Sequence, residues 1–196
     1  MLKVEKISCQ KGYNQLFESL TFYLKSGDIA RIIGKNGSGK TSLLKILAGV
    51  NTSDSGIVSI DDTLLNSFEY KNNVFYLGHQ SLISPQLSVI ENMDFLLNLS
   101  NNYTGNKITA LSAVGLKNYA DELCYKLSAG QKRKVILATL FLSTAKLWLL
   151  DEPFTALDVD SVKIIEEIIK NHAKNGGICI LTTHQQSALD FIEITL

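Results

Sequence analysis

The sequence of 196 residues has few cysteines, no excess of charge of either sign and no long apolar run. Cys9, Cys124 and Cys179 are widely spaced and form no C-x-x-C pair, so we expect the reduced thiols of a cytosolic protein. The chain has 19 basic residues (Lys and Arg) and 19 acidic residues (Asp and Glu). It therefore lacks the excess of positive charge that is typical of a nucleic-acid-binding protein. The longest apolar run, residues 135–142, is too short to cross a bilayer, and the first six residues lack the apolar core of a signal peptide. If the protein works at a membrane, we expect it to dock onto something embedded there.

A phosphate-binding loop is the strongest signal that the sequence contains. The apolar run 29–33 predicts a strand buried on both faces, and the residues after position 41 have the apolar spacing of a helix up to Gly49. Between them lies the pattern G-x-x-x-x-G-K-T, in which glycines let backbone N–H groups converge on phosphate oxygens at a helix N-terminus. Lys40 would contact the β- and γ-phosphates of a nucleoside triphosphate, and the Thr41 hydroxyl would bind magnesium. The predicted nucleotide ligands are Gly34, Lys35, Asn36, Gly37, Ser38, Gly39, Lys40, Thr41 and Ser42.

The rest of the chain alternates strand and helix patterns, which predicts a largely parallel α/β sheet. Alternating residues over 2–8 and 16–24 favour an antiparallel pair that precedes the loop. The other predicted strands are 56–60, 74–77, 147–150, 178–181 and 191–196. At this length we expect one domain, residues 1–196, with a helical insert at about 82–126.

The predicted helices of the insert and of the region after it are recognised by their N-terminal caps. Ser88 and Glu91 have capping-box spacing, and Thr104 is a candidate cap for a second helix that stops at Gly115. Ser128 and Gln131 repeat the capping-box spacing before a helix that runs to about residue 142 and should be buried. Asp158 or Asp160 opens a further helix, whose expected buried face is Val162, Ile165, Ile169 and Ala173, with Glu166, Glu167 and Lys170 opposite.

An acidic pair, Asp151 and Glu152, directly follows the apolar strand 147–150. Alone this is a weak signal, because acidic residues often cap the next helix. Together with a phosphate-binding loop it predicts a phosphoryl-transfer site, since that chemistry depends mainly on positioning and charge neutralisation. Asp151 would hold Mg²⁺, and Glu152 would orient and deprotonate the attacking water.

Further motifs give the sequence a resemblance to the ATP-binding cassette (ABC) ATPases over essentially its whole length. Residues 127–131 (Leu-Ser-Ala-Gly-Gln) resemble the family's signature motif, with Ala129 where a second glycine is common. Gln80 corresponds to the Q-loop glutamine, residues 155–158 to the D-loop and His184 to the switch histidine. The resemblance implies a P-loop NTPase of the ABC type, with an antiparallel portion, a mainly parallel core sheet and a helical insert, that uses ATP and Mg²⁺. It also implies catalytic roles for Glu152, His184 and Gln80, and magnesium contacts from Thr41, Gln80 and Asp151.

In the family, two such domains pair head-to-tail around two ATP molecules, so the resemblance implies a homodimer of ATPase subunits. Residues 34–41 of one protomer would then face Ser128 and Gly130 of the other, with Gln131 and Asp158 also contributing across the interface. Each residue has a simpler interpretation as well. His184 could be a surface histidine, Gln80 a solvated strand end and Asp158 only an N-cap.

The aromatic residue that stacks on adenine in this family is not evident in the sequence. Tyr13 is the nearest candidate and Phe17 a weaker one. Aligning residues 16–24 with the family's second strand, however, puts Lys11 or Gly12 at that position. His79 and His172 are interpreted as structural, and Trp148 as core packing.

A closer resemblance is to the ATP-binding subunits of bacterial cytochrome c maturation, long described as haem exporters. It rests on residues 76–80, 127–134 and 147–158; Thr139 departs from the usual arginine. The resemblance implies integral membrane partner subunits, a peripheral location at the cytoplasmic face of the inner membrane, and docking through residues 82–98, with Ile83 and Leu87 as contacts. ATP hydrolysis would drive either haem export or release of a haem chaperone. The alternatives are another ABC transporter or a soluble ABC ATPase acting on nucleic acid or ribosomes. A P-loop kinase would leave the signature motif and His184 unexplained.

Overall fold

The computed structural model describes residues 1–78, 82–100 and 102–196, and for residues 99 and 100 the backbone alone. The strands are β1 (Leu2–Lys11), β2 (Asn14–Leu24), β3 (Ile29–Ile33), β4 (Ser55–Ile60), β5 (Thr63–Leu64), β6 (Val74–Leu77), β7 (Leu147–Asp151), β8 (Ile178–Thr182) and β9 (Ile192–Thr195). The α-helices are α1 (Lys40–Leu47), α2 (Phe68–Asn72), α3 (Val89–Ser100), α4 (Lys107–Ala113), α5 (Ala129–Ala138) and α6 (Val159–Lys174). No helix in these ranges is long and apolar enough to cross a membrane.

The strands form two sheets, as the sequence predicts. The first is antiparallel with the order β2-β1-β4-β5. The second has the order β6-β7-β8-β3-β9, and every pairing in it is parallel. Because the carboxyl ends of parallel strands lie at one edge, the segments that follow β3, β7 and β8 meet there.

The parallel sheet is covered on both faces, which explains why β7 and β8 are buried along their whole length without alternation. Leu147 and Leu149 of β7 pack into the cluster that contains α1, whereas Trp148 and Leu150 pack into the cluster that contains residues of α5 and α6. The first cluster also includes residues of β1, β2 and β4, so α1 lies between the two sheets.

The helical insert packs around a third apolar cluster, which contains residues of α3, α4 and α5. Its first helix has the predicted capping box, in which Ser88 N donates to Glu91 Oε2 at 2.7 Å and Glu91 N donates to Ser88 Oγ at 3.3 Å. The prediction for the second helix is wrong by two residues. Asn106, not Thr104, caps α4, because its Oδ1 accepts from the N–H groups of Ile108 and Thr109.

Two predictions about the later helices also change. The α5 helix ends at Ala138 and continues as a 3₁₀ turn over Thr139–Phe141 rather than as an α-helix to residue 142. Asp158 caps α6 by accepting from Ser161 N at 2.8 Å. Glu166, expected on the solvent face of α6, is instead 5 % exposed.

Candidate active site

The phosphate-binding loop connects β3 to α1, at the carboxyl edge of the parallel sheet. Its glycines are needed for two different reasons. A Cβ on Gly34 would lie 2.5 Å from Ser38 Oγ, and Gly39 caps α1 in the left-handed region with φ 104°. Lys40 Nζ donates to the carbonyl oxygens of Gly34 at 2.8 Å and Lys35 at 3.1 Å. The ammonium group is therefore held against the loop that would cradle phosphate.

Asp151, at the end of β7, is the centre of a hydrogen-bond network that links the strands β7 and β8 to the helix α1. It is 2 % exposed, and its two carboxylate oxygens have separate donors. Thr41 Oγ1 of α1 donates to Oδ2 at 2.8 Å, and Thr182 Oγ1 of β8 donates to Oδ1 at 2.7 Å. The carboxylate therefore lies beside the first turn of α1, as the predicted magnesium site requires.

Glu152 follows Asp151 in a conformation that residues other than glycine rarely adopt, with φ 50°. Its N–H donates to Thr182 Oγ1 at 2.9 Å, so Thr182 serves both acidic residues. The side chain is 18 % exposed, and its Oε1 lies 3.5 Å from His184 Nε2, whose own side chain is 65 % exposed. Two of the three residues that the resemblance implies to be catalytic, Glu152 and His184, are thus neighbours.

These groups line one cleft of about 450 Å³. Among the residues around it are nine that the sequence predicts for the site: Asn36, Gly37, Gly39, Lys40, Thr41, Ser42, Asp151, Glu152 and His184. Gly34 and Lys35 are not among the described residues that line it, but their carbonyl oxygens accept the hydrogen bonds of Lys40 Nζ. The Ser38 hydroxyl is buried and without a hydrogen-bond partner among the described residues. Gln80 is predicted for the same site but lies outside the described residues.

Lys11 and Leu16 also line the cleft, and no phenylalanine, tyrosine or tryptophan side chain is among its described lining residues. Tyr13 is fully exposed at the β1–β2 turn, and Phe17 is 8 % exposed in the core. Neither of these adenine-stacking candidates lines the cleft. Of the two residues that the sequence comparison puts at the position of the stacking aromatic, Lys11 and Gly12, Lys11 lines the cleft.

The residues predicted to act across a dimer interface lie elsewhere on the surface. Ser128, Gly130, Gln131 and Asp158 are not among the described residues that line the cleft. Ser128 and Gln131 form the predicted capping box, with Gln131 N donating to Ser128 Oγ at 3.2 Å and Ser128 N to Gln131 Oε1 at 2.9 Å. The N–H groups of Ala129 and Gly130 have no acceptor within the helix, as at any helix start, whereas Lys132 N donates to Ser128 O at 2.9 Å.

The first turn of α5 also approaches the segment before α6. A Cβ on Gly130 would lie 2.8 Å from the carbonyl oxygen of Ala156, so only glycine fits this contact. Lys134 Nζ lies 3.0 Å from Asp158 Oδ2. Hydrogen bonds from Ser161, and then from Lys134, hold the pKa of Asp158 well below its usual range, so its carboxylate is charged.

Two buried ionisable residues near the site are not identified by the sequence. Glu166 accepts from Ser187 Oγ at 2.6 Å and from Ala188 N at 2.8 Å, which anchors the segment after His184 to α6. The burial of Glu166 could have been predicted from the sequence, because residue 166 is four positions after Val162 and lies on the same face of the helix. Arg133 of α5 is 9 % exposed and points toward the backbone around Glu152.

Comparisons with known proteins agree with the geometry. Residues 17–155 match the ABC transporter family. A curated relative from Aliivibrio fischeri, the cytochrome c biogenesis ATP-binding export protein CcmA, is 40% identical over 197 residues, covering 99% of this chain and 97% of the relative. The protein of the same name from Histophilus somni is 42% identical over 189 residues, covering 94% of this chain and 87% of the relative.

A solved structure has the same fold at lower sequence identity. It is the ATP-binding cassette MJ0796, bound to ADP and Pi in a dimeric post-hydrolysis state. The TM-score is 0.80 and the identity 22%, with 94% of this chain and 88% of that chain covered.

Proposed function

The chain belongs to the ABC transporter family, and on that basis we propose that it is the ATP-hydrolysing subunit of a membrane transporter complex that serves cytochrome c biogenesis. One observation carries the hydrolytic part of this proposal. A single cleft brings Glu152, which lies 3.5 Å from His184, together with the phosphate-binding loop and Asp151. The assignment to cytochrome c biogenesis is supported by relatives of about 40% identity over nearly the whole chain.

ATP would be held by its phosphates, with Lys40 beside the backbone N–H groups of the loop. A helix N-terminus with a lysine at its first turn attracts and orients anions. Thr41 Oγ1 and Asp151 Oδ2 already lie 2.8 Å apart, and both are oxygen ligands of the kind that Mg²⁺ prefers. These two residues, together with Gln80, would hold the ion. Bound Mg²⁺ neutralises charge on the phosphate oxygens.

Glu152 is the proposed general base. Its carboxylate is largely buried but faces the cleft, where it can accept a proton from water positioned beside the terminal phosphate. His184 would orient the carboxylate or the phosphate from the open side, and Gln80 is proposed to contact the same water. The N–H···Oγ1 bond from Glu152 to Thr182 keeps the base next to the Asp151 network.

Completion of the site would require a second copy of the chain. Ser128, Gly130, Gln131 and Asp158 lie outside the cleft, which is what residues acting in trans require. A serine hydroxyl at the start of α5, close to unpaired N–H groups, suits the terminal phosphate of ATP bound to the partner. The dimeric state of the MJ0796 cassette supports such an arrangement.

The proposed contact with integral membrane subunits lies in the region 82–98. A groove of about 320 Å³ runs between the end of β6 and α3, and apolar residues such as Val74, Phe75 and Leu96 line it. Leu82 at its edge is 56% exposed. Ile83 is half-buried and packs against the core, so Leu82 is the better candidate for docking.

The proposed location is the cytoplasmic face of the inner membrane, with the protein bound peripherally to its partners. The coupled process would be export of haem or release of a haem chaperone. The other candidate is the ATPase subunit of a different ABC transporter. A soluble ABC ATPase acting on nucleic acid or ribosomes is disfavoured by the equal numbers of acidic and basic residues.

The first test replaces Glu152 by Gln and compares it with Glu167→Gln on α6, whose carboxylate lies 3.4 Å from Lys170 Nζ. Loss of a general base typically reduces turnover by about 10²–10⁴-fold. We expect Glu152→Gln to bind ATP normally, to accumulate as an ATP-bound dimer in gel filtration and to lose turnover to that extent. Hydrolysis at the wild-type rate would show that Glu152 is not the base.

The second test identifies the partners by affinity purification of the tagged chain from gently solubilised membranes. We expect recovery of the membrane proteins of cytochrome c maturation. Recovery of a different permease would retain the transporter function and discard the role in cytochrome c biogenesis. Recovery of ribosomes or DNA instead would overturn the transporter class.

A further inference from the structure

Arg133 is a buried cation, and every hydrogen bond that it donates to the described residues goes to a backbone carbonyl oxygen. Its Nη2 donates to Glu152 O at 2.7 Å and to Asp151 O at 3.1 Å. Longer contacts join Nε to Pro153 O at 3.4 Å and Nη1 to Gly78 O at 3.5 Å. Within residues 1–78, 82–100 and 102–196, Arg133 forms no ion pair with a carboxylate. Burying a charge without an ion pair costs free energy of folding. The burial of Arg133 therefore needs an explanation.

The carbonyl groups that Arg133 binds are those of the segment that carries the proposed general base. Three consecutive residues, 151–153, direct their oxygens at one guanidinium group. A planar fork of donors can bind several acceptors at once, which a lysine ammonium cannot do in the same geometry. Burial lowers the pKa of Arg133, whereas the negative charges of Asp151 and Glu152 raise it.

The backbone at Glu152 needs an external constraint. With φ 50° it lies in the left-handed region, which costs a residue with a side chain of the order of 1 kcal/mol and persists only where the surroundings impose it. Thr182 Oγ1 accepts from the N–H of Glu152, and Arg133 donates to its carbonyl oxygen. The peptide groups on both sides of the Glu152 Cα are thus held, and the direction of its side chain follows from that.

Arg133 also lies on α5, the helix whose first turn is proposed to contact ATP bound to the partner protomer. It is five residues after Ser128, about 7.5 Å further along the α5 axis. The helix is short and continuous between them. The hydrogen bond from Arg133 Nη1 to the carbonyl oxygen of Gly78 reaches the end of β6, two residues before Gln80 in the sequence.

We infer that Arg133 is a positioning residue that holds the backbone of Glu152 so that its carboxylate faces the cleft, and thereby ties the base to the helix that begins at Ser128. The inference rests on the proposed role of Glu152. Among the described residues, the Arg133 side chain donates no hydrogen bond to the nucleotide loop, and it contacts the proposed magnesium ligand Asp151 only at its backbone carbonyl oxygen, not at its carboxylate.

The experiment compares Arg133→Gln with Lys132→Gln, which removes the same charge one position earlier in α5. Steady-state ATP hydrolysis, ATP affinity and the urea unfolding midpoint are measured for each. We expect Arg133→Gln to lower kcat about 10²-fold, the typical effect of a displacement of about 1 Å at a catalytic group, with KM and ATP affinity within about twofold of wild type. Lys132→Gln should retain the wild-type kcat.

A third variant, Arg133→Lys, separates positioning from a general structural role. This variant keeps the positive charge but lacks the planar set of guanidinium N–H donors. Its kcat should therefore lie between those of Arg133→Gln and wild type, and its urea unfolding midpoint should be close to that of wild type. If Arg133→Gln does not fold, this variant decides the question. In the Glu152→Gln background, adding Arg133→Gln should reduce the residual rate by less than about twofold, because both changes act through the same group.

The inference is overturned if both Arg133 variants have the kcat of Lys132→Gln, or if Arg133→Gln raises KM without lowering kcat. It is also overturned if the Arg133→Gln effect is equally large in the Glu152→Gln background. A failure of the proposed function looks different, since Glu152→Gln would then hydrolyse ATP normally.

Discussion

Replacing Thr182 by Val tests whether the hydrogen bonds around the acidic pair stabilise the fold. Thr182 is 1 % exposed, and its hydroxyl donates to Asp151 Oδ1 at 2.7 Å and accepts from Glu152 N at 2.9 Å. Valine has nearly the same shape but no hydroxyl. The substitution therefore removes one donor to a buried carboxylate and leaves one backbone N–H without its acceptor.

The size of the effect follows from these two losses. A hydrogen bond to a charged group contributes about 1.5–3 kcal/mol, and leaving a buried donor unpaired costs about 1–3 kcal/mol. The two terms share one hydroxyl and are not fully additive. We therefore expect the free energy of unfolding to fall by about 2–4 kcal/mol. That loss is large compared with a total stability of about 5–15 kcal/mol for a typical domain.

The assay is urea unfolding at pH 7, followed by circular dichroism, with Thr183→Val as the matched control. The Thr183 hydroxyl accepts an exposed hydrogen bond from Gln185 N at 3.1 Å, so its removal should have little effect on the free energy of unfolding. If Thr182→Val and Thr183→Val differ by less than about 0.5 kcal/mol, within the range of ordinary surface substitutions, the network does not stabilise the fold and the reasoning is wrong.

Two further predictions concern the loop and the opposite edge of the sheet. Lys40→Ala should raise the Kd for ATP at least about thirtyfold, since truncating one partner of a charge pair costs about 2 kcal/mol or more. The affinity is measured by calorimetry, with Lys45→Ala in the same helix as the control. If Lys40→Ala has the same ATP affinity as this control, the assignment of the phosphate-binding loop is wrong. Burial lowers the pKa of His172 to about 4, beneath its ordinary 6.5. The unfolded chain therefore binds the proton first, and the free energy of unfolding should fall as the pH drops from about 6.5 to about 4. His172→Phe, which keeps an aromatic ring against Trp148, should flatten this decline in urea unfolding at several pH values; an unchanged slope would contradict a buried neutral imidazole.

The hydrophobic pattern predicted both sheets, because burial of a strand on one or both faces determines which of its neighbouring residues are apolar. Residues 147–150 are apolar without interruption, since alternate side chains enter different core clusters on the two faces of the sheet. The capping boxes at Ser88 and Ser128 were also predictable, because each involves residues only three positions apart. Thr104 failed as a cap because Asn106 competes for the same helix start with a side chain that reaches two N–H groups.

The proposed nucleotide-binding residues could be recognised for the same local reason, since the loop, its lysine and its threonine are contiguous in the sequence. The environment of the proposed catalytic residues could not. Thr182 is thirty residues from Glu152, and Ser187 is twenty-one residues from Glu166, and these pairs meet only across the fold.

The sequence by itself determined the class of chemistry, because backbone conformation, helix starts and strand burial depend on neighbouring residue types. Only the tertiary structure decided which polar side chains are buried and what they bind. Arg133 is flanked by Lys132 and Lys134 in a run of three basic residues, yet only its side chain is directed at the backbone of Glu152. The physical reason is that burial of a charge depends on acceptors supplied by distant segments, which no local pattern records.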